Sequence, residues 1–415
     1  MRIAIIGSGI AGLTCAYLLN RKHAITVFEA GDWIGGHTHT VDVEVGGQHY
    51  AVDTGFIVFN DWTYPNFIRL LGQLGVGFKD TEMSFSVSDP LSGVEYNGHN
   101  LNTLFAQRRN LFSAKFIGMV RDILRFNREA LNDLNQQRIA SNMTLGDYLK
   151  ANAYSERFIQ HYIVPMGAAI WSMSLNDMLG FPLQFFVRFF KNHGLLSVSD
   201  RPQWCVVEGG SSSYVAPLTE SFRERIRLNC PVTRVERDAD GVTVHSSAGS
   251  ERFDKVIFAC HSDQALALLA QPTGTEQDIL GALPYADNDV VLHTDTRLLP
   301  NRKLAWASWN YRLGGPADQP AAVTYNMNIL QGIQSDTTFC VSLNQTAAID
   351  PSKILARYTY AHPQYSLAGM AAQARWEELL GANHSYFCGA YWANGFHEDG
   401  VVSALRVARE FGEAL

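Results

Sequence analysis

Polar and apolar positions along the chain follow two rhythms. Near the start Ile3, Ala4, Ile5 and Ile6 run without a polar break and glycine follows at once, the pattern of a strand covered on both faces. That pattern predicts a strand at 2–6, a helix over 10–19 and a second strand at 24–29. The apolar run 255–260 reads as another parallel strand, leading into a helix at 261–269. Alternating positions predict strands at 226–235 and 241–244 around the turn Asp238-Ala-Asp-Gly, and a short strand at 52–56 that enters a glycine turn. From 100 to 195 the helical period dominates, and 101–140 is almost free of Gly and Pro. Strand composition returns within 285–345, at 289–295, 305–310, 322–328 and 339–343. A last buried strand ends at Gly389, and Gly400 is expected to open the closing helix. The fold class that follows is α/β.

The first turn carries chemistry. Gly7, Gly9 and Gly12 stand in the spacing Gly-x-Gly-x-x-Gly between the first strand and helix. Gly7 permits the tight turn, Gly9 lets a pyrophosphate approach the backbone, and Gly12 lets helix and strand pack closely. Free N–H groups at the helix start then face phosphate. Glu29 closes the second strand, where a carboxylate can hold a ribose hydroxyl. Next comes Ala30-Gly-Asp-Trp-Ile-Gly-Gly-His-Thr-His-Thr. An NAD domain has no need of a glycine pair there. A longer dinucleotide with a ribityl chain gains from the amides of Gly35 and Gly36 and from a donor at His37.

Composition narrows the alternatives. With 415 residues, 47% apolar and 18% charged, the chain can bury a large core in two domains. A net charge of −7 opposes a nucleic-acid protein. The six cysteines are scattered with no Cys-x-x-Cys pair, so free thiols in a reducing cytosol are expected, and no metal site. A strand beginning at residue 2 leaves no room for a signal peptide, and no stretch approaches the length of a membrane span.

The succession Gly-x-Gly-x-x-Gly, Glu29, Gly35-Gly36 and Asp53-Thr-Gly55 resembles the flavin-containing amine oxidase superfamily, which includes phytoene desaturases and protoporphyrinogen oxidases. The resemblance returns at the other end, where Ser385-Tyr-Phe-Cys-Gly-Ala-Tyr-Trp-Ala-Asn-Gly-Phe-His-Glu-Asp-Gly is similar to the closing flavin segment, and in the middle at Glu208-Gly-Gly. It implies FAD as cofactor, and a discontinuous Rossmann-like FAD domain of the amine oxidase type at 1–75, 197–270 and 380–415. An α+β substrate domain would take 76–196 and 271–379. The residues expected against FAD are Gly7, Gly9, Ile10, Ala11, Gly12, Glu29, Ala30, Gly35, Gly36, His37, Thr38, Gly55, Phe56, Val232, Gly389, Gly400, Val401 and Ala404. His37 stands where the superfamily usually has Arg, and Ala390 where many members have an acid.

In such proteins the flavin takes the hydride and side chains mainly position the substrate. Two catalytic candidates follow. Lys303 lies near the place where amine oxidases present a lysine to a water at the flavin, with a solvated loop lysine as the plainer alternative. His397 is a candidate proton relay beside the ring, and Asp399 a helix cap. Tyr391, Trp392 and Phe396 are expected to flank the flavin. Phe185, Phe186, Phe189 and Phe190 suit either a domain core or a tunnel wall for a long apolar substrate. The basic stretch 107–128 is either a solvated helix or an interfacial helix on anionic lipid. Pro165-Met-Gly-Ala-Ala-Ile-Trp-Ser and Trp306-Ala-Ser-Trp-Asn look most like a bacterial subgroup associated with modifying methylated or cyclopropane fatty acyl chains. The resulting expectation is a cytoplasmic enzyme, peripheral on the membrane, that desaturates a lipid acyl chain. An amine oxidase and a flavoprotein without catalysis of its own are the alternatives, and the electron acceptor is left open.

Overall fold

The computed structural model describes residues 1–316 and 318–415. A parallel five-stranded sheet runs in the order Ile226–Arg227, Ala24–Phe28, Arg2–Ile6, Lys255–Phe258, Ser385–Phe387. Its strands come from both ends and the middle of the chain. The two-residue period sorts their side chains. Ile3, Ile5, Ile25, Val27 and Ile257 face the helices Ile10–Leu19 and His397–Glu410. Ala4, Ile6, Phe28, Val256 and Phe258 face a three-stranded antiparallel sheet, Val232–Asp238, Gly241–Ser246 and Gly249–Phe253. The expected strand at 226–235 is therefore two strands in different sheets, divided where the chain crosses from one layer to the next.

The second half is a seven-stranded sheet in the order Ile354–Pro363, Tyr285–His293, Cys340–Leu343, Val323–Asn326, Trp309–Arg312, Phe85–Asp89, Val94–Asn97. Helices from the 100–195 region pack with it around one apolar cluster. Segments 274–280 and 367–379, expected with the substrate half, contribute Ile279, Leu280, Ala372 and Leu379 to the core beneath the parallel sheet. Strand Phe78–Thr81 likewise pairs with Trp204–Val207 across the expected boundary at 75.

The basic stretch is not one helix. A 3-10 turn at Arg108–Phe112 ends at Ser113, whose hydroxyl accepts the Phe116 N–H and caps a new helix, Ala114–Asn135. Phe116, Met119 and Phe126 point into the core. Arg125 lies over the Tyr154 ring and pairs with Asp122 and Glu129. The helix is thus anchored in the fold, and only the turn before it projects, with Phe112 92% exposed. Among the described residues no helix is long and apolar enough to cross a membrane, and no group of side chains could hold a metal. All six cysteines are free thiols.

Candidate active site

Two glycine loops lie back to back at the edge of the parallel sheet. Gly7 takes φ +107°, and a Cβ there would come within 2.6 Å of the Ala259 carbonyl oxygen. At Gly12 a Cβ would meet the Gly7 oxygen at 2.1 Å. Gly9 differs: a Cβ would meet no protein atom within 4 Å, because that side of the residue opens into a cavity. The Gly35 N–H donates to Ser8 O at 3.0 Å, and Gly36, at φ +58°, leaves only 3.1 Å between its Cβ direction and Gly9 Cα. The Glu29 carboxylate accepts the Ser8 N–H (2.9 Å), the Ser8 hydroxyl (2.6 Å) and the Gly31 N–H (2.8 Å). Glu29 lines the cavity, and with about four acceptor sites on a carboxylate one remains without a protein donor.

The cavity measures about 820 Å³ and runs from these loops into the second half of the molecule. Its middle is walled by Phe56, Phe396 and His397. Helix His397–Glu410 begins three residues earlier than expected. Asp399, in its first turn, accepts the N–H groups of Phe396 (2.9 Å) and Asn394 (3.1 Å), so the capping role read from sequence holds. Glu398 reaches the other way and accepts the N–H groups of Asn66 (3.1 Å) and Phe67 (2.9 Å), which caps helix Pro65–Leu74. His397 lies flat on Phe56, ring centroids 3.5 Å apart, and its Nε2 sits 2.9 Å from the Thr38 hydroxyl and 3.0 Å from the Tyr214 hydroxyl. That closed triangle fixes the second glycine loop to the helix start. Burial holds the imidazole well below its usual range, helped by the nearby His37. It is neutral, and Nε2 is engaged by protein.

Besides His397, five imidazoles line the cavity, those of His37, His99, His193, His261 and His362, and three of them cluster. The His37 ring lies 6.1 Å from that of His261 and 5.6 Å from that of His362. His261 stacks on Tyr285 at 4.0 Å, and His362 Nδ1 is 2.9 Å from the Ser172 hydroxyl. Burial pushes His37 and His261 down to about 4 and His362 to about 3. His37 Nε2 is buried with no protein partner. Deeper in the scaffold, buried Asp53 joins the halves: it accepts the Thr40 hydroxyl (2.6 Å), the Ser211 N–H (2.8 Å) and the Gln331 amide (2.9 Å). Burial raises its carboxyl to about 6.

Most sequence-derived positions reach the cavity. Gly7, Gly9, Ile10 and Ala11 line it, as do Glu29, Ala30, Gly35, Gly36 and His37; Gly55, Phe56, Val232 and Gly389 complete the set with His397. Gly12, Thr38, Gly400, Val401 and Ala404 do not. Gly400 abuts the first helix, where a Cβ would lie 2.8 Å from Ile10 Cγ2, and Val401 and Ala404 are buried in the same seam. Their side of the closing helix faces protein rather than the cavity, because the helix starts at His397. Tyr391 and Phe396 line the cavity, whereas Trp392 is core, its indole N–H bonded to Phe387 O at 3.0 Å. Of the four phenylalanines only Phe189 reaches the cavity; Phe185, Phe186 and Phe190 are packed away. Lys303 is an exposed residue in a 3-10 turn, 5.7 Å from the Trp306 ring and away from the cavity. It is withdrawn as a catalytic candidate. Sequence reasoning missed His261, Tyr285, His362 and Tyr365, which come from strand ends and turns with no motif.

Residues 10–326 match the profile described as flavin containing amine oxidoreductase. The chain belongs to that family. Its cofactor is FAD, and the residues present fit the group: Gly9 is open where a pyrophosphate needs approach, the amide-rich loops flank it, and His37 Nε2 has no other partner. A putative flavin-containing monoamine oxidase of Mycobacterium tuberculosis is 25% identical over 292 residues, 65% of this chain and 59% of that protein. A 1-hydroxycarotenoid 3,4-desaturase of a Flavobacterium is 43% identical over 83 residues, covering 20% of this chain and 15% of that protein. The alignment with the monoamine oxidase thus spans little more than half of that relative's length. A fatty acid isomerase structure from P. acnes superposes with a TM-score of 0.70 at 15% identity, over 99% of this chain and 98% of that one, a likeness of fold.

Proposed function

We propose that this family member is an FAD-dependent oxidoreductase that dehydrogenates a long apolar substrate, such as a fatty acyl chain of a membrane lipid. One observation carries the reading. Beyond Phe56 and Phe396 the cavity continues along Met83, Met166, Ile170, Phe189 and Leu195, and among the described residues the one permanently charged side chain lining that end is Arg201 at the rim. Along that stretch a charged group would lose its hydration without compensation, so a substrate must be apolar over most of its length. FAD, when bound, supplies the two-electron acceptor. The side chains hold an apolar chain in line and exclude water. The local likeness to a carotenoid desaturase supports C–C desaturation, and the lipid-associated bacterial subgroup is the finer form of this reading.

The same reading makes the protein cytoplasmic and peripheral on the membrane. Phe112 and half-exposed Leu111 project beside Arg108 and Arg109. Those guanidinium groups bond backbone carbonyls of Phe105 (2.9 Å) and Gly93 (2.6 Å), which leaves their charge for anionic head groups. Anaerobic incubation of the FAD-loaded protein with a membrane-lipid extract tests the function. Bleaching of the flavin absorbance with loss of two hydrogens from an acyl product is expected; an unbleached flavin across such extracts overturns it and returns the protein to a flavoprotein without catalysis of its own. An amine oxidase is the second reading, favoured by the edge-to-face pair Trp309 and Tyr325, 4.8 Å apart on the cavity wall. Peroxide release with an amine and none with lipid would select it.

A further inference from the structure

The cavity has one fixed charge at each end. Among its described lining residues the permanently charged side chains are Glu29, at the glycine loops, and Arg201, at the far end with Tyr162, Leu195 and Trp204. Arg201 is exposed at the rim, and its Nε donates to Ser197 O at 3.0 Å. No carboxylate among the described residues lies within ion-pair distance of it, so its charge has no counter-charge in the protein. Its loop is closed tightly: Gly194, at φ +66°, leaves only 3.0 Å from its Cβ direction to Arg201 Cα and 2.6 Å to Pro202 Cδ.

From Arg201 an apolar track leads inward. Tyr162, Met166 and Ile170 are spaced by four and all line the cavity. Eight residues of helix span about 12 Å. The track begins at an irregular turn, Ile159–Ile163, where the Val164 N–H bonds Ile159 O one residue further back than in an α-helix. Such widened turns re-aim side chains and are frequent at functional sites. The Tyr162 phenol makes no hydrogen bond to protein and is pushed up to about 12 by burial, against the opposing charge of Arg201.

We propose that Arg201 is the head-group anchor of this site, and that the substrate is a long-chain carboxylate whose tail lies along Tyr162, Met166 and Ile170. This rests on the apolar-substrate reading above. A planar guanidinium offers paired N–H donors that match the two oxygens of a carboxylate, and a single cation at the rim of an apolar channel sorts single-chain acids from neutral chains. The fork also fixes how far the chain enters, and so which carbons reach the flavin end. Arg201 is a specificity-determining residue; it takes no part in the transfer itself.

The test titrates FAD-loaded protein with a long-chain carboxylate, its methyl ester and a single-chain lysophospholipid, reading the flavin absorbance shift, in the wild type and in Arg201→Gln and Arg201→Lys. The acid should bind roughly tenfold to a hundredfold more tightly than the ester, and Arg201→Gln should remove that difference with FAD content unchanged. Arg201→Lys should restore part of it. Equal binding of acid and ester, or an Arg201→Gln variant that keeps the preference, overturns the anchor while leaving an apolar substrate intact. A lysophospholipid that outcompetes the acid through Arg201 overturns the carboxylate assignment in favour of a phosphate head. If none of the three shifts the spectrum, the apolar-substrate reading fails and the anchor with it.

Discussion

The two ends of the cavity are built on different principles. The glycine-loop end is made of backbone: Gly7, Gly9, Gly35 and Gly36 bring amides together, and one carboxylate, Glu29, is held by neighbours within two short segments. The substrate end is made of side chains drawn from distant strands and helices, such as Met83, Tyr162, Leu195, Trp309 and His362. Backbone construction demands particular residues at fixed spacing. Side-chain construction demands only apolar volume, which many sequences supply. The first is therefore rigid in sequence and the second free to vary.

The largest effect should come from breaking the backbone end at two neighbouring glycines. Gly12→Ala forces a methyl group onto the Gly7 carbonyl and should unfold the domain or abolish its expression in soluble form. Gly9→Ala meets no protein atom, so the apoprotein should melt at an unchanged temperature while FAD is lost. A Gly9→Ala protein with full flavin content would show that the pyrophosphate lies elsewhere.

At the other end, Phe186→Ala should cost about 3–5 kcal/mol of stability in denaturant unfolding, since Phe186 is fully buried against Phe190 and Trp171. Phe189→Ala, at the cavity wall, should instead change turnover of bulky substrates with FAD content preserved. If the two variants behave alike, wall and core are not separate there. Glu29→Ala should weaken FAD roughly tenfold to a hundredfold, the loss of a charge-assisted bond worth about 1.5–3 kcal/mol. Flavin fluorescence on dilution reads it.

Acid should loosen both ends. Six buried or half-buried imidazoles are held below the ordinary value by desolvation: His37, His193, His261 and His293 to about 4, His362 to about 3, and His397 well below its usual range. A group whose folded value is depressed opposes folding once the unfolded chain takes up its proton, so stability is lost as pH falls from about 6.5 through 4. Asp53 and Asp399, raised to about 6, act in the opposite sense between pH 4 and 6, and two carboxyls do not cancel six imidazoles. The melting temperature should drop across this window; a flat profile would show the imidazoles to be hydrated. The smallest effect concerns the projecting turn. Replacing Phe112 by Ser together with Arg108 and Arg109 by Gln should reduce co-sedimentation with anionic liposomes at low salt, with flavin unchanged. Wild-type protein that ignores such liposomes would refute the membrane contact.

The difference in construction also explains what the sequence made legible. The strand Arg2–Ile6 and helix Ile10–Leu19 stand where the pattern places them, because unbroken apolar residues ending in Gly7 admit one solution. The ten-residue strand Ile354–Pro363 escaped notice: its first six positions alternate between half-buried and exposed and only Tyr360 is buried, so it lacks a strong apolar face. It delivers Tyr360 and His362, and so the imidazole cluster was invisible. The closing helix was placed three residues late because Gly400 looks like a start, while the true signal was Asp399 reaching back to Phe396. Lys303 was carried by resemblance alone, and local turn geometry puts it at the surface.

The packing of the helix Ile10–Leu19 against His397–Glu410 has a consequence for synthesis. Nine of the ten residues of the first helix are buried, several of them by a partner encoded almost at the other end of the chain. At about 5–20 residues per second the ribosome needs roughly 20–80 s to reach that partner. For that interval an apolar helix waits without its cover, so the nascent protein calls for a chaperone long before it calls for flavin.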